Sequence, residues 1–328
     1  MIRFSEDGTM SLLLLARNIN FIRRSMLFTA FVLALCLSSC GKSGKPAAAE
    51  AETFTSPDDA GKALLAAAKS GDRAAILAIF GPESKDILDS RDPTQDKETV
   101  AAFIAAYQTM NRWRKMDDTT ETLVVGVDNF PFPIPLRKNG AGRWFFDVAA
   151  GKEEILARRI GRNELATIDI CTAMANAQAQ YHSQPQQGVK QYAQKFISDD
   201  GQHNGLYWKA ADGQPRSPLG PLAAFATSEG YSLQPNAHLP FHGYYFRMLT
   251  RQGDQAKGGA KDYLVDGKMR GGFAFVAYPA EYDNSGVMTF VVNQDGVVLQ
   301  KDLGKTTAET AAALREFNPD ASWRPALE

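Results

Sequence analysis

Apolar residues recur at helical spacing near the start of the body of the chain. Ser56-Pro57-Asp58-Asp59 predicts a helix start, with Ser56 as cap, Pro57 in the first turn and Asp59 completing a capping box. Ala60, Leu64, Ala67 and Ala68 then share one face, and Gly71-Asp72 separates them from a second helix carrying Ile76, Leu77, Ile79 and Phe80. A third helix is predicted near 96–110, with Val100, Phe103, Ile104 and Tyr107 on its inner side. The period then changes from helix to strand. Leu123 to Val127 is apolar throughout, Phe130, Phe132, Ile134 and Leu136 alternate with three prolines, and Arg143 to Val148 closes the set. The prolines assign Phe130–Leu136 to a sheet edge.

The second half opens on densely alternating charge from Ala149 to Leu165, a solvated helical face with Glu154 and Arg158 four apart. This stretch reads equally as a linker or as a helix shared by both halves. A long helix is predicted over about 163–182, with Leu165, Ile168, Cys171 or Thr172, Ala175 and Ala179 on a narrow face of small residues ending at Tyr181. Strand candidates follow at Tyr244–Thr250 and Gly272–Tyr278. A hairpin is predicted from Val287–Val292 and Val297–Lys301, joined by Asn293-Gln294-Asp295-Gly296. Helix first and antiparallel meander after is an α+β arrangement.

Before all of this lies Arg23-Arg24-Ser25, an apolar run from Met26 to Leu37, and Leu37-Ser38-Ser39-Cys40-Gly41. Two arginines, an apolar run and a small-residue site make a secretory signal peptide. The run is short of the roughly 20 apolar residues that a membrane span needs. The ending resembles the lipobox of bacterial lipoproteins, which implies acylation of Cys40 and a mature chain beginning there. Gly41 implies, by the same resemblance, retention at the outer membrane. Residues 1–40 are therefore expected to be signal peptide and lipobox, and 41–53 a polar Gly/Pro/Ala-rich tether.

Charge narrows the partners. The chain of 328 residues has a formal net charge of -1; removal of Arg3, Arg17, Arg23, Arg24, Glu6 and Asp7 with the signal moves this to -3. With no basic block, no nucleic-acid partner is expected. Cys36 leaves with the signal and Cys40 takes the lipid, so Cys171 has no partner for an intrachain disulfide. With no basic neighbour in sequence, Cys171 reads as a buried inert thiol.

Two or three helices followed by a small sheet over about 54–150 resemble the cone-shaped domain related to nuclear transport factor two. That resemblance implies a pocket, here lined by Phe103, Tyr107 and Trp144. Enzymes on that fold use an Asp/His pair in the cone, and this segment has no histidine. Residues 151–328 resemble the globular part of type IV pilin-like proteins through Asn163-Glu164-Leu165, Gly243 to Arg247, Phe275 to Pro279 and Thr289 to Val298. The apolar helical spine of pilins is replaced by Lys152–Arg162. Taken whole, the chain is similar to a family of bacterial lipoproteins and secreted proteins known as domain of unknown function 2950. The matching segments include Pro131 to Leu136, Ala150 to Glu164, Ser217 to Leu222 and Phe241-His242-Gly243-Tyr244-Tyr245.

Candidate chemistry is sparse. His182, His203, His238 and His242 all fall in the second half. His238 and His242 are four apart, but Pro240 breaks a helical ligand face. Asp199-Asp200-Gly201-Gln202-His203 reads as a turn, the alternative being half of an acid/base pair. Asp92, Thr94, Asp96 and Glu98 imitate the start of a calcium loop, with Lys97 where glycine is needed and Phe103 in place of the bidentate glutamate. Gly258-Gly259 and Gly271-Gly272 read as turn and strand-entry glycines. Tyr244-Tyr245-Phe246 with Tyr207-Trp208 are candidates for a binding surface or for core.

The expectation is a lipid-anchored, non-enzymatic binding or scaffold protein on the periplasmic face of the outer membrane. Its expected partners are the membrane and envelope or surface-appendage proteins, with no catalytic residue, cofactor or metal. The alternatives are a small-ligand protein using the cone, or a periplasmic hydrolase built around His203 or His242.

Overall fold

The computed structural model describes residues 51–184, 188–210, 213–233 and 239–327, and Ala47–Glu328 forms one compact unit. The architecture is mixed α+β with antiparallel main sheets. Helices α1 (Pro57–Ser70), α2 (Arg73–Phe80) and α3 (Pro93–Thr109) come first. Each starts on an acceptor side chain that takes a backbone N–H: Ser56 from Asp59, Asp72 from Ala74 and Asp92 from Gln95. The expected capping box is only half formed, because the Asp59 carboxylate accepts from the Thr55 hydroxyl. Gly71 closes α1 at φ 66°, a conformation that glycine adopts without a Cβ clash.

The first sheet contains β1 (Asn111–Lys115), β2 (Thr120–Val125), β3 (Phe130–Pro131), β4 (Leu136–Lys138) and β5 (Trp144–Phe146). Its order is β1-β2-β4-β5, with β3 paired to β2. Phe130–Pro131, paired with β2 alone, lies at an edge as expected, while the edge assignment of Leu136 is corrected. Pro133 and Pro135 sit in the crossing between β3 and β4, so β4 lies inside the sheet and loses no ladder donor. The outer strands are β1 and β5, and the β1 sequence Asn-Arg-Trp-Arg-Lys carries too little apolar alternation to announce a strand.

Helix α4 runs unbroken from Val148 to Ser183, 36 residues or about 54 Å, started by Asp147 accepting from the Ala150 N–H. The charged stretch 149–162 is thus its first half. Val148 and Ile155 belong to one core, with Leu64, Phe80, Leu123 and Phe146, while Ile168, Cys171, Met174 and Tyr181 belong to another. The inner face is corrected at two places: Leu165 is 56% exposed and Ala179 also faces outward, their places being taken by Thr167, Met174 and Gln178. Val100 on α3 is likewise outward.

After α4 come a parallel pair, β6 (Lys195–Ile197) and β7 (Gly205–Tyr207), and helix α5 (Gly220–Ser228). Then follow β8 (Tyr244–Leu249), β9 (Arg251–Gln252), β10 (Lys261–Asp262), β11 (Leu264–Val265), β12 (Lys268–Met269) and β13 (Ala274–Pro279). The chain ends with β14 (Met288–Asn293), β15 (Leu299–Asp302), helix α6 (Thr307–Ala313) and β16 (Arg324–Pro325). The second sheet has the order β16-β15-β14-β13-β8. Every residue of β13 is buried, so both faces of this central strand are covered.

Candidate functional site

The two cores meet at a polar seam. Asp92 is buried; its Oδ1 caps α3, and its Oδ2 accepts from the Tyr231 hydroxyl at 2.8 Å and the Gly243 N–H at 3.1 Å. Beside it the Gln95 amide donates to Asn163 Oδ1 at 2.8 Å, and Asn163 Nδ2 donates to the Ser285 carbonyl at 2.8 Å. One α4 turn earlier, the Arg159 guanidinium donates to Asn284 Oδ1 and the Ile87 carbonyl. An Arg91–Glu281 ion pair of 2.8 Å closes the seam at the surface. Charge-assisted bonds of this kind are the stronger ones available away from water.

The Asp92 carboxylate also holds a turn that places a histidine. His242 and Gly243 have φ of 49° and 73°, and Phe241 and Tyr244 exchange backbone hydrogen bonds of 2.8 and 3.2 Å across them. Two positive φ values in a two-residue turn are ordinary for Asn-Gly and strained for histidine. Gly243 is required here for a second reason, since a Cβ would lie 2.4 Å from Asn163 Nδ2. The turn drives the His242 ring into the interior, 8% exposed, between Phe241, Tyr231 and Phe225.

His242 Nε2 lies 3.0 Å from Glu229 Oε2, and neither atom has a hydrogen-bond partner of acceptable geometry. Two bare acceptors at that separation repel, so one of the two groups is protonated. Burial is the main cause that lifts the Glu229 carboxyl from 4.5 to about 7, followed by the negative charges of Glu98 and Asp92. Burial likewise pushes His242 below its ordinary 6.5. Glu229 faces a cleft of about 450 Å³ whose walls are Thr94, Lys97, Glu98 and Ala101 of α3, and Ser228, Glu229 and Gly230 at the end of α5. A weak acid poised near neutrality at the floor of a cleft can give or take a proton, or accept a donor from a ligand.

The other sequence candidates separate. His203 stacks on Trp208 at a centroid distance of 4.3 Å, and His182 stacks on Tyr192 at 4.4 Å. The Asp199–Gln202 segment is a turn, with Asp199 paired to Lys195 and bonded to Asn204. Of the calcium-loop imitation, Asp92 caps a helix, and among the described residues no group of three or more His, Cys, Asp or Glu side chains is arranged to hold a metal ion. Cys171 is fully buried and its thiol is pushed up to about 12. Tyr244 is core; its ring packs on Phe290 and its hydroxyl donates to the Met288 carbonyl. His238 and Cys40 lie outside the described residues.

The cone pocket is corrected. Phe80, Phe103, Phe132, Phe146 and Tyr107 form a chain of ring contacts with centroids 5.3 to 6.3 Å apart, which fills the space between the helices and the first sheet. Trp144 is buried in the same core, with the Lys138 ammonium 4.6 Å from its ring centroid. No helix of the described residues is long and apolar enough to cross a membrane.

Over residues 51–326 the sequence matches the family described as Protein of unknown function (DUF2950). The chain belongs to this family. The match takes in both cores, the seam and the His242 turn. Comparison with curated proteins and with solved structures found no match. The family description carries no activity, so the chemistry of the site rests on its own geometry.

Sequence reasoning missed Glu229. It follows an Ala-rich helix with no local sign of a site, and Asp92, which sets its surroundings, is far away in the chain. The His-Gly pair between aromatic residues was a readable signal, because a two-residue turn needs positive φ at both positions.

Proposed function

We propose that this is a lipid-anchored cell-envelope protein that works by binding, and that its binding site is the cleft between α3 and the end of α5. The observation that carries the reading is the Glu229–His242 contact. Buried polar atoms in folded proteins are nearly always paired, and here two that lack a partner face each other behind Glu229, whose residue lines the cleft. The strained His242 turn keeps them there. The Leu37-Ser38-Ser39-Cys40-Gly41 pattern supports anchoring through Cys40 at the periplasmic face of the outer membrane, with envelope or surface-appendage proteins as the accessible partners.

The test is site-specific photo-crosslinking of the full-length protein in intact cells, with the photoreactive residue at Ser228 or, as control, at the exposed Ala308. Recurrent adducts from Ser228 that disappear in Glu229→Gln and Cys40→Ala backgrounds are expected. Identical adducts from both positions overturn the cleft as the binding site.

One observation favours a second reading. A Glu229 carboxyl titrating at about 7 has the proton affinity of a general acid or base at envelope pH. Turnover of an envelope substrate that is lost in Glu229→Gln, with the fold intact, would move the protein from binder to enzyme.

A further inference from the structure

The first sheet ends differently at its two sides. Beyond β5, Phe54 bridges Trp144 through backbone hydrogen bonds of 2.7 and 2.9 Å, so the chain covers that edge itself. At the other side β1 pairs with β2 alone. The ladder shows which backbone groups of β1 are spare. Arg112 stands opposite Val124 and Trp113 opposite Leu123. On the same register the Gly126 N–H donates to the Met110 carbonyl and the Met116 N–H to the Thr120 carbonyl, so the even-numbered positions bond to β2. Leu123 turns its carbonyl the other way, to the Phe132 N–H. The N–H and C=O of Asn111, Trp113 and Lys115 therefore point out of the sheet, and among the described residues they meet no backbone partner.

The side chains decide what fits there. Trp113 packs inward against the first core, while Arg112 and Arg114 are exposed on the opposite face of the strand. Among the described residues neither arginine is in an ion pair. The carboxylates of the turn after β1 are committed, Asp118 to Lys115 at 2.7 Å and Asp117 to the N–H and hydroxyl of Thr119. Like charge along an edge guards against unwanted pairing, and it selects among occupants. In the registers that would pair most of β1 with β1 of a second copy, arginine stands opposite arginine, which is destabilising. Residues 41–50 carry Lys42 and Lys45 against Glu50 alone, and the chain they lead into meets the sheet at its far edge. An extended segment with a carboxylate at every second position satisfies both the spare backbone groups and the arginines.

We propose that the β1 edge accepts an extended acidic segment of a partner protein as an added strand, antiparallel like every other pair of this sheet. Its carboxylates lie opposite Arg112 and Arg114, and an apolar residue lies opposite Trp113. Backbone pairing supplies affinity for an extended chain, and the arginines supply the preference for acid. This surface is separate from the cleft: β1 follows the end of α3, whereas the cleft is walled by Thr94 to Ala101 in its first half.

The experiment is fluorescence anisotropy of the full-length protein in detergent with a labelled, capped nonapeptide of alternating valine and glutamate. It is expected to bind, and to bind several-fold more weakly when salt is raised to about 0.5 M. The same peptide with lysine for glutamate is expected to bind at least tenfold more weakly. N-methylation of the valine amides, which face β1 in this pairing, leaves the charge unchanged and is expected to abolish binding. The double variant Arg112→Glu, Arg114→Glu, at two exposed positions, is expected to prefer the lysine peptide, a gain that a misfolded protein could not show. Amide exchange is expected to slow at Asn111, Trp113 and Lys115 on binding and to stay unchanged at Arg112 and Arg114, which already bond to β2. Failure of the glutamate peptide to bind, equal binding of the lysine peptide, retained binding of the methylated one, or protection elsewhere in the chain overturns the inference. So does a concentration-dependent dimer that the glutamate peptide does not dissociate, which would make a second copy the occupant. Crosslinking from Ser228 tests the cleft separately, so either surface can fail while the other stands.

Discussion

Asp92 and Tyr231, 139 residues apart, meet in a buried hydrogen bond of 2.8 Å that ties the start of α3 to the segment leading into the His242 turn. The same carboxylate oxygen receives the Gly243 N–H, so one side chain holds both Tyr231 and the turn itself. Burial and the nearby Asp92 charge push the Tyr231 hydroxyl far above its ordinary range, which keeps it a donor at every physiological pH.

Tyr231→Phe removes one of three donors from a buried carboxylate and is expected to cost about 1.5–3 kcal/mol. Asp92→Ala also loses the α3 cap, a further loss of about 1 kcal/mol. The double variant should cost clearly less than the sum, because both changes break the same bond. Urea unfolding of the four proteins measures the coupling; strict additivity would show that the bond contributes nothing.

How far this was readable from sequence depends on the range of each interaction. Helix α1 was legible at both ends because Ser56, Pro57 and Gly71 act within a few residues. The strands Tyr244–Leu249, Ala274–Pro279 and Met288–Asn293 were legible from apolar β-formers bounded by turn residues. The first half of α4 was ambiguous because Arg159 and Asn163 look like solvent-facing polar residues. They are buried only because Ile87, Gln95, Asn284 and Ser285 arrive from elsewhere in the chain to satisfy them. Glu229 had no local pattern at all.

His242 gives a second prediction. Its φ of 49° is one that asparagine tolerates and a β-branched residue does not. Both His242→Asn and His242→Val lose the buried ring, and His242→Val should lose about 1–3 kcal/mol more than His242→Asn because only valine adds the backbone strain. Thermal unfolding of both separates backbone strain from loss of the ring; equal losses would assign the whole effect to packing.

The Glu229–His242 pair makes stability depend on pH in two opposed ways. Glu229 holds its proton up to about 7 in the folded state against 4.5 in the unfolded chain, so its contribution is lost as pH rises through that window. His242 is pushed below 6.5, so the unfolded chain takes up a proton first on acidification and stability falls as pH drops below 6.5. Glu229→Gln should flatten the first limb and leave the second. Its gain at pH 8 should be on the order of 1 kcal/mol, once solvent screening at a partly exposed carboxyl is allowed for. Parallel stability curves for parent and variant between pH 4.5 and 8 would remove Glu229 as the titrating group.

Arg159 tests the seam independently of the cleft. Its guanidinium is buried, burial pushes its pKa down, and two of its nitrogens reach separate acceptors, Asn284 Oδ1 and the Ile87 carbonyl. Lysine cannot span both, so Arg159→Lys should cost about 2 kcal/mol or more despite keeping the charge. The shift in the urea midpoint at constant slope is the readout. A lysine variant as stable as the parent would show that one acceptor suffices.

Two glycines on α4 make opposite predictions from the same substitution. In a helix interior, alanine is favoured over glycine by about 1 kcal/mol, because it loses less backbone freedom on folding. At Gly161 a Cβ would meet nothing within 4 Å, so Gly161→Ala should gain that amount. At Gly151 it would lie 2.8 Å from the Pro133 carbonyl oxygen and 2.9 Å from Ile134 Cα. Those are backbone atoms of the proline-rich crossing into β4, which cannot rotate away as a side chain does. Gly151→Ala must therefore push α4 off the first sheet, and a loss of about 1–3 kcal/mol is expected. Chemical denaturation of the two variants side by side decides it. Equal gains would mean that α4 is free to shift against the sheet, and that the glycine does not set how closely the helix approaches.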